Sequence, residues 1–204
     1  MTSESHFTRR DAMTMGGGTL AAMVLPTSAF AMTTGQAESL IQKVVNETLS
    51  IANSNISQSA ALDRFEDMFV QYGDVPVIAR AVLGAPWRTS SPAQQQAFVQ
   101  AFQGYLARKY GSEFREYRGS KITITGSSDQ GDKGIVVNSV VETPGSEPFA
   151  VDYQVSDRSG SPKMFNIFIE GVSMLSTERS EIRAILEANR NNVDALIEDL
   201  KRRG

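Results

Sequence analysis

Residues 83–119 read LGAPWRTSSPAQQQAFVQAFQGYLARKYGSEFREYRG, from Leu83 to Gly119. The first six residues are punctuated by Gly84 and Pro86 and predict a turn. The remainder predicts one long amphipathic helix. Ser91 supplies the N-cap, Pro92 occupies the first helical position, where its missing N–H is no loss, and Gln94 completes a capping box. Ala97, Phe98, Ala101, Phe102, Tyr105 and Leu106 then recur at helical spacing, and Tyr110, Phe114 and Tyr117 continue the aromatic series. A helix with so many rings on one side is either half of a packed core or the wall of an apolar cavity.

Upstream, the chain predicts three more helices. Thr33 and Gln36 form a capping box ahead of a stripe of Leu40, Ile41, Val44, Val45, Thr48 and Leu49. Leu62, Phe65, Met68, Phe69 and Tyr72 mark a second helix closed by Gly73. Asp74 caps a short third helix, Val75 to Leu83, with Ile78, Ala79, Val82 and Leu83 facing inward and Gly84 and Pro86 at its end. Downstream of Gly119 the period changes from 3.6 to 2. Strands are expected at Lys121–Thr125, Ile135–Glu142, around Phe149, Val151, Tyr153 and Val155, and at Met164–Ile169. Hairpin-length links make the sheet antiparallel. Two closing helices carry Ile182, Ile185 and Leu186 from Glu178 to Ala188, then Val193, Leu196, Ile197 and Leu200 behind an Asn192 cap. The expected fold is α+β: a curved antiparallel sheet of about four strands with helices over one face. Its parts are a helical part at 35–118, a sheet at 120–170 and closing helices at 177–203.

The first residues are expected to be a signal peptide spanning 1–31. Arg9-Arg10 precede a short apolar run from Leu20 to Leu25, too short to span a bilayer, and Ala29-Phe30-Ala31 fits a cleavage site. The paired arginines resemble a twin-arginine signal, with the general secretory route as the alternative. The implied location is the periplasm. Removing 1–31 takes away Arg9 and Arg10 with Glu4 and Asp11, so the net charge stays at −3. It also takes His6, the sole histidine, and the chain has no cysteine.

That composition closes off several kinds of chemistry. The mature chain has no imidazole and no thiol, so Ser-His-Asp and Cys-His catalysis and His-based metal sites are ruled out. No Gly-rich phosphate loop and no basic stripe for nucleic acid is present. Asp63 and Asp67 lie one turn apart with Glu66 beside them, and are read as a solvated surface rather than as paired catalytic carboxylates. Ser173 in Gly171-Val-Ser173-Met-Leu175 lacks the second glycine and the base of a nucleophile elbow, and is read as a polar residue in a strand-to-helix turn. The expectation is a non-enzyme with no metal and no cofactor, whose asset is apolar and aromatic surface.

Two segments carry a family resemblance. One is Val82-Leu-Gly-Ala-Pro-Trp-Arg88 with Ser91-Pro-Ala-Gln-Gln-Gln96 and the Phe98, Phe102, Leu106, Tyr110 series. The other is Phe165-Asn-Ile-Phe-Ile-Glu-Gly-Val-Ser173 with Arg179 and the closing Val193-Asp-Ala-Leu-Ile-Glu-Asp-Leu200. In this order, over about residues 35–203, they resemble the periplasmic phospholipid-binding proteins of the maintenance-of-lipid-asymmetry, or toluene-tolerance, family. Three positions depart from that pattern: Pro162-Lys163 replaces a tryptophan, Asn166 an aspartate, and Glu178 an aromatic. The resemblance implies a nuclear-transport-factor-2-like fold with additional helices, and a lipid-binding domain over 32–204. It implies a carrier that shuttles phospholipid between inner and outer membranes, with the acyl chains in an apolar pocket. Each buried CH2 favours such a pocket over water by about 0.8 kcal/mol. The implied partners are phospholipid, an inner-membrane ABC transporter complex with a substrate-binding ring domain, and an outer-membrane lipoprotein–porin complex. The expected carrier is monomeric and binds no nucleic acid. The expected lipid-binding residues are Val82, Leu83, Trp87, Phe98, Ala101, Phe102, Tyr105, Tyr110, Phe114 and Val172. Three rival readings remain: a carrier of another amphiphile, sterol-like or hopanoid; a periplasmic chaperone or scaffold that binds protein through the same surface; and a small hydrolase or isomerase of the same fold, against which the lack of His and Cys counts.

Overall fold

The computed structural model describes residues 32–111 and 116–203. The expected signal peptide and Phe114 lie outside them. Four helices come first: α1 (Thr34–Asn53), α2 (Gln58–Tyr72), α3 (Val75–Leu83) and the five-residue α4 (Ala85–Thr89). The Leu83–Arg88 stretch, expected as a turn, is therefore mostly a short helix. Gly84 sits at φ 68°, a conformation open to glycine, and both ends α3 and begins α4. The long helix α5 covers Pro92–Gly111. Its capping box forms as the sequence predicts: Gln94 N–H donates to Ser91 Oγ at 3.2 Å and Ser91 N–H to Gln94 Oε1 at 3.0 Å.

The sheet is a five-stranded antiparallel meander in the order β1-β2-β3-β4-β5. β1 is Lys121–Asp129, β2 Ile135–Glu142, β3 Phe149–Ser156, β4 Lys163–Ile169 and β5 Val172–Ser173. β1 runs four residues beyond the expected Thr125 because a bulge there, between Ile124 and Gly126, breaks the clean alternation without ending the pairing. A second bulge leaves Phe165 between the paired Met164 and Asn166. β5 is a strand that sequence periodicity does not separate from β4. Glu170 and Gly171 both have positive φ, 50° and 77°, which closes a two-residue hairpin between Ile169 and Val172. Helix α6 (Met174–Ala188) comes directly after it, starting a turn earlier than the expected Glu178, and α7 (Val193–Leu200) closes the described chain.

Two main cores result. One is helical: Ile78, Val82 and Leu83 of α3, Phe98, Phe102 and Tyr105 of α5, Ile182 and Ile185 of α6, and Leu196 and Leu200 of α7. Phe98 and Phe102 stack with centroids 5.7 Å apart, and Phe102 and Tyr105 with centroids 6.3 Å apart. The other lies where α1 packs on the sheet through Ala37, Ile41, Val44 and Val45 against Val137, Val141, Val151, Tyr153 and Val155. A smaller cluster of Ile51, Ala61 and Met68 joins α1 to α2. The α2–α3 junction is fastened to β4: Asp74 N–H donates to the Met164 carbonyl at 2.8 Å.

Candidate functional site: an apolar cavity between helices and sheet

A cavity of about 280 Å³ lies where these three clusters meet. The helices contribute Val44 and Thr48 of α1, Phe65, Met68, Phe69 and Tyr72 of α2, Ile78 of α3, and Phe102, Leu106 and Tyr110 of α5. The sheet contributes Ile122, Val141, Phe149, Val151, Tyr153, Met164, Ile167 and Ile169, together with Phe165 and Asn166 at the β4 bulge. Tyr117 and the start of α6, with Met174, Leu175 and Glu178, complete the wall. Almost every lining group is a methyl, a methylene or a ring, the composition of sites that take apolar ligands.

Of the residues expected to bind lipid, Phe102 and Tyr110 are on this wall. Val82, Leu83, Phe98, Ala101 and Tyr105 are not. They are buried in the helical core, where α3 and α5 pack against each other and against α6 and α7. Trp87 is half-buried against the same core, away from the cavity. Val172 is 58% exposed at the β4–β5 hairpin. The aromatic series of α5 therefore divides: one part packs, and one part lines.

Several wall residues are visible in the sequence only as stripes, with no functional assignment. Phe65, Met68, Phe69 and Tyr72 read as a helical stripe, and Val151 and Tyr153 as an alternating strand face. Periodicity marks which side of an element is inward; it does not say whether the opposing side fills the space. What brings them to one cavity is the packing of elements distant in sequence, which periodicity does not give.

A polar cluster sits at the α5–α6 end of the cavity. Lys109 Nζ pairs with Glu178 Oε1 at 2.7 Å and also with Glu181. Tyr105 O–H donates to Glu181 Oε1 at 2.6 Å, and Tyr110 O–H donates to Glu178. Glu178, which stands where the family pattern has an aromatic, is 4% exposed. Burial works against the Lys109 charge, but hydrogen bonds to Glu178, Glu181 and Tyr105 outweigh it and hold the ammonium above the usual lysine range. Burial pushes the Tyr105 and Tyr110 hydroxyls up, and the carboxylates they donate to push them further. Glu181 is opposed by burial yet ends below the ordinary glutamate value, because Lys109 and Tyr105 donate to it. On the sheet side, burial pushes Tyr153 up to about 12.

Asn166 and Ser173 organise the corner where the sheet meets α6. Asn166 Oδ1 accepts from Leu175 N–H at 3.0 Å, and Asn166 Nδ2 donates to Ser173 Oγ at 3.1 Å. Ser173 Oγ also accepts from Ser176 N–H as the N-cap of α6. Those bonds account for both residues structurally. Arg179 is exposed and does not pair with Glu170, whose carboxylate accepts from Ala150 N–H instead. Asp63 and Asp67 are not drawn into the cavity wall.

The model of the MlaC protein family matches residues 42–202. The toluene tolerance protein ttg2D of Pseudomonas putida is 23% identical over 166 residues, covering 78% of this chain and 77% of that protein. The intermembrane phospholipid transport system binding protein MlaC of Haemophilus influenzae is 26% identical over 131 residues, covering 62% and 60%. Among solved structures, a phospholipid-binding protein from Ralstonia solanacearum, in complex with a phospholipid, superposes with a TM-score of 0.70. It is 22% identical and the match covers 80% of this chain and 94% of that one. That likeness establishes a shared fold.

Proposed function

The chain belongs to the MlaC family, and from that premise we propose that it is a periplasmic lipid carrier that moves phospholipid between the inner and outer membranes. The observation that carries this reading is the cavity between α2, α5 and the sheet, lined almost entirely by hydrophobic groups. The resemblance to a protein named for intermembrane phospholipid transport supports the same reading. The carrier takes lipid from, or gives it to, an inner-membrane ABC transporter complex, and exchanges with an outer-membrane lipoprotein–porin complex. Residues 1–31 direct export. No catalytic group is needed: transfer requires only that an acyl chain be about as well accommodated in the cavity as in a bilayer, so that it can enter and leave.

The test is transfer of a fluorescent phospholipid between donor and acceptor vesicles. The wild type is expected to transfer. Ile167→Trp, which adds bulk on the wall, is expected to lose transfer while keeping its circular dichroism spectrum. Val172→Trp, on the exposed hairpin, is expected to behave as wild type. Equal transfer by all three would remove the cavity from the account.

A further inference from the structure

The apolar wall holds one buried carboxylate that its surroundings leave half-used. Glu178 Oε1 accepts from the Lys109 ammonium at 2.7 Å and from the Tyr110 hydroxyl. Glu178 Oε2 is buried and has no hydrogen-bond partner among the described residues. Glu178 and Tyr110 are both part of the cavity wall. Buried polar atoms without a partner are rare in folded proteins, and one on the wall of a cavity points to a group that the occupant supplies.

The chemistry of that group is narrow. It must donate a hydrogen bond, since an ionised carboxylate only accepts. An alkyl chain, an ester carbonyl and a phosphodiester cannot donate, and the last is also repelled by the carboxylate charge. An ammonium would donate, but it would have to leave water for an apolar cavity. A hydroxyl supplies the donor without a charge. We propose that the cavity recognises an amphiphile carrying a hydroxyl on the apolar portion that enters it, with that hydroxyl donating to Glu178 Oε2. This rests on the carrier reading and adds the class of cargo: a hydroxylated lipid tail or a lipid alcohol, preferred over an unsubstituted chain. The cluster of Lys109, Tyr105, Tyr110 and Glu181 then serves to hold the carboxylate in place rather than to do chemistry.

The test compares two probes, cetyl alcohol and cetyl methyl ether, of which only the first has a proton to donate. Both are titrated into delipidated protein and followed by native mass spectrometry. The wild type is expected to bind the alcohol about tenfold more tightly than the ether, as suits a hydrogen bond to a charged acceptor. In Glu178→Gln, Lys109 and Tyr110 hold the amide oxygen, which puts the amide N–H group at the position of Oε2. The alcohol preference is then expected to vanish or turn toward the ether. Equal binding of both probes by the wild type would overturn the proposal without the need for any variant, and would mean that ordinary water satisfies Oε2. An undiminished alcohol preference in Glu178→Gln would overturn it as well. If the wild type loads unsubstituted phospholipid from vesicles yet binds the two probes equally, the subsite fails and the carrier reading stands. If it binds neither probe and no phospholipid, both fail. Analysis of the lipid extracted with the native protein separates the two sources of hydroxyl, an acyl chain or a free lipid alcohol.

Discussion

Between α3, α5, α6 and α7 the apolar side chains close on one another. Phe98, Phe102 and Ile182 are fully buried there, and the rings stack. Between α2, α5 and the sheet, residues nearly as apolar stand apart and leave about 280 Å³ open. The two regions differ in geometry, not in composition. Helices meeting helices can adjust their crossing until ridges fill grooves. The sheet carries bulges at Thr125 and Phe165, which bend a strand and strengthen its twist, and the helices over it leave a cavity. Phe102 belongs to both regions, with its stack in the helical core and its other side on the cavity.

The strongest way to break this comparison is to empty the packed side. Phe98→Ala removes a fully buried ring from a core with little room to collapse, and should cost about 3–5 kcal/mol of stability in urea or thermal unfolding. A loss below about 1 kcal/mol would mean that the helical core is as loose as the cavity.

A sharper version adds bulk on each side. Ala101 lies in the helical core and Ile167 on the cavity wall. Ala101→Trp should be destabilising by about 1–3 kcal/mol through overpacking. Ile167→Trp should change the melting temperature little, because the ring extends into open space. Equal losses in the two variants, read by differential scanning calorimetry, would erase the distinction between packed and open.

How far the sequence foretells this obeys the same division. Caps, helix stripes and the antiparallel sheet are legible because each is local: Ser91 with Gln94, Asp74 before α3, Asn192 before α7. The α5 aromatics are legible as inward but not as core or wall, since Phe98 and Phe102 look alike in one dimension. Which of them meets empty space depends on how sheet residues far along the chain pack against the helix. Glu178 is legible as a charge in a place suited to a ring. Its pairing with Lys109, on a helix far away in sequence, is not. The β4–β5 hairpin is hidden because Glu170 at its first turn position is not a usual residue for positive φ.

A smaller effect tests the corner that fixes α6 against the sheet. Ser173→Ala removes an N-cap and the bond to Asn166. It should cost about 1 kcal/mol and leave lipid loading intact. Loss of loading in a folded Ser173→Ala protein would give Ser173 a functional task that the geometry does not predict.

The smallest effect is the pH dependence of the polar cluster. Lys109 and Tyr105 have pKa values raised by folding, so their contribution is fully present below about pH 10 and is lost as pH rises through the raised values. Glu181 has a lowered pKa, so its contribution is present above about pH 4.3 and is lost as pH falls through the lowered value. Melting temperature against pH should show a plateau between these limits. Lys109→Met should weaken the fall on both flanks, whereas Lys43→Met, on the exposed face of α1, should leave it unchanged. Identical profiles for the two variants would separate the cluster from stability.

The central claim is that the open side of the molecule holds lipid. Native mass spectrometry of protein purified without detergent tests it most directly, with a lipid-free sample then offered phospholipid vesicles. The expected result is a mass increment of one lipid on the purified protein, lost on delipidation and regained from vesicles. A protein that carries no lipid as purified and takes none from vesicles would contradict it.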